Sequence, residues 1–206
     1  MRVPDESEAD TAFGVAEVRR LRRAELLLDI YQRTAGHETL DETLTTMVEI
    51  ATSTIGTERG TLFLLDQRTN ELYSRVTHGP LLRELRVASD KGIAGKVYTS
   101  GKGVVVLDAY ADPAFDPLFD RRTGFTTRSI LCAPVRTVKG DTFGVLQLLN
   151  KLEGEFTEDD LSLLEAMGMQ ASVALQSAQV IERMNHTRAQ ELRFLAGREL
   201  YLGPQH

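Results

Sequence analysis

Two pairs of short apolar segments, each pair joined by a tight polar turn, constrain the fold of this chain more than any other feature. The four segments are Thr61–Leu65, Glu71–Thr77, Ser129–Val135 and Phe143–Leu149. Turns this short join antiparallel strands, whereas parallel neighbours need a much longer crossover. Further short strands are predicted at Leu85–Val87 and Val104–Leu107. The sequence therefore predicts a central, mainly antiparallel sheet of about six strands.

Helical patterns lie on both sides of these strands and predict an α+β fold. One pattern covers Val15–Ala35, and a second predicts a helix over Leu40–Ile55 that ends at Gly56. A last helix is predicted to begin near Glu158 and to reach Leu195 or beyond. Because helices bury their apolar stripes on a sheet, we expect these helices to flank it.

The start of the last helix carries the strongest local signals in the sequence. Thr157 can cap the helix, and Asp160 stands three residues later, as in a capping box. Phe156 and Leu161 occupy the two positions of a hydrophobic staple. Both signals predict a well-defined helix start.

Small and apolar residues recur along this helix at spacings of three and four. They are Leu164, Met167, Ala171, Ala174, Ala178 and Ile181. This spacing is typical of a coiled-coil seam. Because Leu163, Val173 and Val180 lie elsewhere on the helix, one face can pack on the sheet while another meets a partner. The length of the helix favours a homodimer through the terminal helices, and a single buried core helix is the alternative.

Composition limits the function and the location. The formal net charge of −6 argues against a nucleic-acid groove, which needs clustered basic side chains. Cys132 is the single cysteine, which excludes an intrachain disulfide, a cysteine-rich metal site and a two-cysteine redox cycle. No apolar run approaches the roughly 18 residues of a spanning helix, and the polar, acidic residues 1–14 are expected to be disordered. We therefore expect a cytoplasmic protein without a membrane segment or a metal site.

Two segments between the strands have the character of a binding site. Asp108–Thr127 is a long polar connection, and such connections in compact domains are usually binding loops or lids. Asp90–Tyr98 contains a glycine-rich turn that leads into a short helix. The free N–H groups of Ile93 and Ala94, together with the helix dipole, suit an anion. A tight turn that the glycines merely permit is the alternative.

Gln147 is the most informative polar residue within a predicted strand. Val145 and Leu149 share its face because side chains alternate along a strand. If that face looks inward, the amide needs a partner, since an unpaired buried polar group costs about 1–3 kcal/mol. Either a ligand or a neighbouring backbone group would satisfy it.

An ordered set of segments resembles a GAF domain, most of all those of cyclic-nucleotide phosphodiesterases and cyanobacterial adenylyl cyclases. The segments are Thr61–Asp66, Gly92–Gly95, Asp108–Pro113, Thr123–Cys132 and Gly144–Lys151. Asn150, Lys151, Phe156 and Asp160 complete most of the structural signature of that branch, although Leu161 stands where an acid usually follows. The resemblance implies a salt bridge between Lys151 and Asp160 outside the ligand site.

The resemblance also implies a division of the chain. Residues 1–14 form a disordered N-terminus, 15–38 a linker helix, 39–184 a PAS-like GAF domain, and 185–206 a C-terminal helical extension. Both terminal helices would be signalling helices. We expect an output domain to be supplied in cis or in trans.

A ligand pocket is implied between the sheet and the long connection. The residues assigned to it are Thr61, Thr77, His78, Ile93, Ala94, Ala109, Tyr110, Thr123, Thr127 and Gln147. Ile93 and Ala94 would hold a cyclic phosphate, and Ala109 and Tyr110 would add N–H donors from the opposite side. Capping of turns is the alternative role for the two threonines of the connection, and an exposed turn position is the alternative for His78.

The resemblance implies a regulatory sensor and not an enzyme, with a cyclic nucleotide as ligand and no cofactor. Thr77 and His78 stand where some relatives have an aromatic residue and an acid that hold guanine, which favours cAMP over cGMP. A dimerising relay with another ligand or none is the main alternative. Free methionine sulfoxide reductases share the fold but need several cysteines. A bilin or haem role for Cys132 or His78 has less support.

Overall fold

The structure is a computed structural model that describes residues 39–79, 84–137 and 139–201, together with 17, 18, 20, 21, 24, 25, 27–30 and 32–34. The strands are β1 (Thr57–Asp66), β2 (Glu71–His78), β3 (Arg86–Ala88), β4 (Val104–Val106), β5 (Ile130–Arg136) and β6 (Thr142–Lys151). They form one six-stranded sheet in the order β3-β2-β1-β6-β5-β4, with antiparallel neighbours throughout. The predicted α+β class, the antiparallel sheet and both hairpins are confirmed.

Helices cover both faces of the sheet. They are α1 (Leu40–Ile55), α2 (Gly92–Ser100), a short 3-10 helix (Ala109–Ala111), α3 (Leu118–Thr123) and α4 (Glu158–Tyr201). The described residues between 17 and 34 are also helical. The disorder predicted for residues 1–14 lies outside the described residues, as do residues 202–206 of the predicted C-terminal extension. No helix within the described ranges is both long and apolar enough to span a bilayer.

The bounds of α1 follow from its local sequence. Thr39 Oγ1 accepts a hydrogen bond from the N–H of Glu42 at 3.2 Å, and the Glu42 carboxylate accepts from the N–H of Thr39. This capping box satisfies two donors that the first turn leaves unpaired. Gly56 ends the helix with a left-handed φ of 72°. The predicted helix Leu40–Ile55 is confirmed at both ends.

The sheet carries an apolar layer on each face. One face packs on α1 and α4 through a cluster that includes Leu62, Leu148 and Met167. The other face supports α2 and the segment after β4 through a cluster that includes Phe63 and Val145. Strands covered on both faces are apolar at successive positions, which explains the unbroken apolar run of β5. The second face holds the site described below.

Helix α4 begins as predicted. Thr157 Oγ1 accepts from the N–H of Asp160 at 3.2 Å, and Asp160 Oδ2 accepts from the N–H of Thr157 at 2.9 Å. Phe156 is buried, and Leu161 packs against the same apolar cluster. The predicted capping box and staple positions are confirmed, so the helix start is anchored to the core.

The regularly spaced seam of α4 is its core face. Leu164, Met167 and Ala171 are buried in the cluster that also holds the side chains of α1. This stretch of the seam therefore packs within the domain itself. Along this stretch, a partner helix has to use a different face of α4.

The predicted long connection after β4 contains two helical turns that the sequence patterns do not indicate. The 3-10 helix is capped by Asp108, whose Oδ1 accepts from the N–H groups of Tyr110 and Ala111. Helix α3 has six residues and ends at Gly124 with a φ of 71°. A helix this short offers no apolar period, and its flanking proline and glycine are the signals that could have located it.

Candidate functional site

A cavity of about 310 Å³ lies between the sheet and residues 109–127, which we call the lid. The sheet contributes Arg59, Thr61, Phe63, Ile130, Gln147 and Leu149, and the β3 side contributes Leu85, Arg86, Val87 and Ala88. The remaining wall is formed by Lys91, Gly92, Ile93 and Ala94 and, from the lid, by Phe115, Asp116, Leu118, Phe119, Asp120, Arg122 and Thr127. This volume is at the lower end of the range for small-molecule sites, about 300–1,000 Å³.

The start of α2 forms one end of the cavity. Gly92 takes a left-handed φ of 69°, which turns the chain into the helix. Lys91 provides no side-chain cap, and the N–H of Gly95 is the first to bond back, to the Lys91 carbonyl oxygen at 3.1 Å. Among the described residues, the N–H groups of Ile93 and Ala94 have no acceptor. They are two free donors at the positive end of a helix dipole.

Polar side chains of two neighbouring strands form the floor. Thr61 on β1 and Gln147 on β6 are directly paired in the sheet register and point to the same face. Val145 and Leu149 belong to the apolar cluster on that face, as the alternation along the strand predicts. Within the described part of the chain, neither the Thr61 hydroxyl nor the Gln147 amide has a hydrogen-bond partner. The floor therefore offers an amide and a hydroxyl to a ligand.

Arg59 adds a cationic group beside this floor. Its Cζ lies 3.7 Å from the centroid of the Phe125 ring, so the guanidinium stacks on the lid. Its Nη1 is buried and has no hydrogen-bond acceptor among the described residues. An unpaired buried donor is costly, and a ligand oxygen would relieve that cost.

Asp120 fastens the lid from within. It is only 4% exposed, and its carboxylate accepts from the N–H of Thr127 at 2.6 Å and from the Thr127 hydroxyl at 2.8 Å. The Tyr110 hydroxyl donates to the same carboxylate at 3.1 Å, and its ring packs on Phe115 with centroids 5.1 Å apart. Burial and the Asp120 carboxylate raise the pKa of Tyr110. Asp120 thereby joins both ends of the lid to α3.

Asn150 fastens the C-terminal end of the lid to the sheet. It is fully buried and takes a left-handed φ of 59°. Its Oδ1 accepts from the N–H of Arg128 at 2.6 Å, and its Nδ2 donates to the Thr126 carbonyl oxygen and to Glu58 Oε2, both at 2.8 Å. The hydrogen bonds from Asn150 and Arg128 lower the pKa of Glu58.

A model of the GAF domain matches residues 39–175. The chain belongs to the GAF domain family. GAF domains are generally regulatory sensor modules, and the six-stranded antiparallel sheet with flanking helices is the GAF fold. The GAF domain of an Acinetobacter phosphoenolpyruvate-protein phosphotransferase matches with a TM-score of 0.67 at 21% identity, covering 79% of this chain and 98% of that one.

Two curated relatives are phosphodiesterases. The chain is 29% identical over 192 residues to the probable 3',5'-cyclic phosphodiesterase pde-5 of Caenorhabditis elegans, which covers 86% of this chain and 26% of that protein. It is 29% identical over 184 residues to the dual 3',5'-cyclic-AMP and -GMP phosphodiesterase 11 of Drosophila melanogaster, covering 81% of this chain and 13% of that protein. The chain thus spans 26% of the length of the first relative and 13% of the length of the second.

Half of the residues assigned to the ligand from the sequence line the cavity of the GAF domain. They are Thr61, Ile93, Ala94, Thr127 and Gln147. Thr127 differs from the others because an ionised carboxylate cannot donate, so the hydroxyl of Thr127 must donate to Asp120. Only the lone pairs of that hydroxyl remain available to a ligand. The role of these five residues in binding stays a prediction.

The other five assigned residues lie away from the cavity wall. Ala109 donates its N–H to the Arg128 carbonyl oxygen at 2.8 Å, and Tyr110 donates its N–H to Asp108 at 3.1 Å. Thr123 is exposed and donates its hydroxyl to the Phe119 carbonyl oxygen at 3.0 Å, which is the capping alternative. The donors of these three residues are thus engaged by neighbouring groups of the chain.

Thr77 and His78 are the last two residues of β2. Thr77 pairs with Thr61 and shares its face, but it is outside the cavity lining. His78 pairs with Gly60, and alternation places it on the opposite face of the sheet, where it is exposed. As adjacent residues in a strand, the two cannot both face one ligand.

Arg59, Lys91, Asp120 and Arg122 were missed as site residues by the sequence analysis. Arg59 could have been predicted, because it shares the two-residue period of one strand face with Thr61 and Phe63. No local pattern marks Asp120 or Arg122, since the fold of the lid alone brings them to the wall.

The other residues of the family signature and Cys132 lie outside the cavity lining. Lys151 Nζ lies 2.6 Å from Asp160 Oδ2 and 5.6 Å from the centroid of the Phe156 ring, both outside the cavity lining. Cys132 is fully buried, and burial raises the pKa of its thiol. Among the described residues, no group of three acidic, histidine or cysteine side chains could hold a metal ion.

Proposed function

We propose that this GAF domain is a regulatory sensor that binds a cyclic nucleotide in the lid-covered cavity. The observation that carries the proposal is the presence of two complementary sets of groups in the lining of one small cavity. Free N–H donors of Ile93 and Ala94 stand at the start of α2, and the unpaired polar groups of Thr61 and Gln147 stand on the floor. A cyclic phosphate suits the first, and a base edge suits the second.

The charge of the cavity wall supports a ligand with one negative charge. Arg86 is neutralised by carboxylates outside the wall, at 3.0 Å from Asp66 Oδ2 and 2.6 Å from Glu84 Oε1. The charged side chains that remain on the wall are Arg59, Lys91, Arg122, Asp116 and Asp120. Three cations and two anions leave one positive charge, which a cyclic phosphodiester matches.

The floor supports adenine over guanine. Gln147 presents a carboxamide, which can pair with the adjacent donor and acceptor of adenine or with the ring N–H and O6 of guanine. The preference therefore rests on the absence of a carboxylate from the described residues on the sheet side of the wall. Guanine would gain from a carboxylate that accepts from its ring N–H and its amino group, but the sheet side of the wall has none among the described residues. The Asp120 carboxylate already accepts from Thr127 and Tyr110.

Calorimetric titration of the purified chain with cAMP and with cGMP tests this function. We expect micromolar or tighter binding of cAMP and weaker binding of cGMP. We expect Arg59→Met to weaken cAMP binding about tenfold or more, because it removes the buried unpaired donor from the wall. Arg68→Met, in the exposed β1–β2 turn, should bind like the parent protein. Absence of binding to either nucleotide would leave a relay domain with another ligand or none.

The terminal helices are the proposed route from ligand to output domain. Among the residues of α4 whose side chains the structure describes, four large apolar ones are exposed, namely Met169, Val173, Val180 and Met184. At about 100° per residue they fall within about 60° of arc, on the side opposite the core face. Val18, Leu21 and Leu28 of the N-terminal helical residues are also exposed. We propose that these rows pair in a homodimer and transmit lid closure to an output domain in cis or in trans.

A charge in this row should weaken the dimer. Val180→Glu is expected to raise the dimer dissociation constant by about tenfold or more, since the carboxylate would be buried without a partner. Sedimentation velocity over a concentration series measures the change. Leu152→Glu, an equally exposed apolar position outside the helix, is the control and should sediment as the parent does. A parent protein that is monomeric throughout would remove the dimer from the proposal.

A further inference from the structure

Two basic side chains reach the cavity from different elements of the chain. Lys91 stands immediately before α2, which packs on the sheet, and Arg122 is in α3 of the lid. Within the described ranges, neither side chain forms an ion pair or a hydrogen bond. Arg86 lines the same cavity, but its guanidinium already forms ion pairs with Asp66, Glu71 and Glu84. Apart from Arg59, which stacks on Phe125, the wall therefore holds two cations without a partner among the described residues, one beside α2 and one on the lid.

The position of Arg122 distinguishes it from its neighbour. Arg121 and Arg122 are consecutive and both exposed in α3, yet only Arg122 contributes to the cavity wall. Lys91 directly precedes the residues whose N–H groups are free, so an anion bound there lies beside its ammonium group. Two like charges in the lining of one cavity repel each other, and an anion between them would turn that repulsion into attraction.

We propose that Arg122 and Lys91 clamp the anionic group of the ligand from two sides, so that the position of the lid depends on the charge of the ligand. This inference rests on the proposed function and adds a residue of the lid, Arg122, that interacts with the charge of the ligand. The phosphate is held by the start of α2 and Lys91, and Arg122 closes over it. A neutral nucleoside occupies the floor without engaging this clamp.

Calorimetry on three proteins with two probes tests the clamp. The proteins are the parent chain, Arg122→Gln and the matched control Arg121→Gln. The probes are cAMP and adenosine, which lacks the phosphate. Arg122→Gln is expected to weaken cAMP binding about tenfold, as the loss of a charge-assisted hydrogen bond would, while Arg121→Gln stays within about twofold. Adenosine should bind equally to all three proteins.

The dependence on salt provides a second readout. Since the clamp acts between partly exposed charges, added sodium chloride should weaken cAMP binding more steeply in the parent and Arg121→Gln than in Arg122→Gln. Equal cAMP affinity and equal salt dependence in the two variants would overturn the clamp and leave the proposed function intact. An Arg122→Gln loss that is the same for adenosine would also overturn it, by showing a packing role. A parent protein that binds neither cAMP nor cGMP overturns both proposals.

Discussion

Replacing Asn150 with alanine is expected to lower the free energy of unfolding by about 3 kcal/mol. The substitution removes buried hydrogen bonds, and alanine tolerates the left-handed backbone conformation of this position less well than asparagine. The Asn150 amide bonds to backbone groups of Thr126, Arg128 and Ser129 and to the Glu58 carboxylate. Alanine supplies none of these groups. The N–H groups of Arg128 and Ser129 would lose their acceptor.

A second asparagine separates the two contributions. Asn70 has almost the same left-handed φ, 56° against 59° for Asn150, but it lies exposed in the β1–β2 turn. Asn70→Ala therefore incurs only the backbone cost of about 1 kcal/mol. Urea unfolding followed by circular dichroism gives both values. An Asn150→Ala loss no larger than that of Asn70→Ala would show that the side-chain hydrogen bonds add no stability.

The stability difference at Asn150 should depend on pH through Glu58. Hydrogen bonds from Asn150 and Arg128 hold the pKa of Glu58 below its usual value of 4.5. A carboxylate with a lowered pKa stabilises the fold above its unfolded-state pKa and loses that contribution as the pH falls through the folded value. The gap between the parent and Asn150→Ala is therefore complete at pH 7 and narrows below about pH 4.5.

Local signals were sufficient for most of the fold. The ends of α1 were predicted because capping and a left-handed glycine act within a few residues, and the β1–β2 hairpin was predicted because its turn is short. The orientation of Gln147 followed from the two-residue period of a strand. In each case the deciding interaction joins residues that are close in the sequence.

The site could be predicted only where it is built from such local units. The start of α2 was found because glycine and a helix end stand side by side in the sequence. The helical turns of the lid and the role of Asp120 were not predicted. Helix α3 has no apolar period, and Asp120 acquires its role only when Thr127 and Tyr110 fold onto it. His78 was assigned together with Thr77 from the resemblance, but adjacent residues of a strand face opposite ways.

The seam of α4 illustrates the same limit for interfaces. Its spacing fits a partner helix and a core equally well, and burial assigns Leu164, Met167 and Ala171 to the core. The exposed row is carried by residues such as Val173 and Val180, on the opposite side. A periodic pattern thus identifies a packed face of a helix, but the tertiary structure decides what packs on it.

Replacing Asp120 with alanine is expected to weaken cAMP binding about 100-fold, because the lid loses the group that joins its ends to α3. Apparent affinity falls with the fraction of molecules in which the lid is folded, and each 1.4 kcal/mol of lost lid stability is about tenfold. A loss of about 100-fold corresponds to about 2.8 kcal/mol. Three hydrogen bonds to one carboxylate, at 2.6, 2.8 and 3.1 Å, are expected to exceed that amount. The buried Thr127 N–H and hydroxyl would be left unpaired.

Amide hydrogen exchange measures the lid directly, without a ligand. We expect faster exchange over residues 109–127 in Asp120→Ala while the sheet keeps its protection, since the lid opens as a local unit. Asp116→Ala is the matched control, because Asp116 also lines the cavity but is exposed and accepts only the N–H of Leu118, at 2.9 Å. If both variants exchange like the parent, Asp120 does not hold the lid. If lid exchange rises but cAMP affinity does not change, the lid is not needed for binding, and the ligand is held by the sheet and α2 alone.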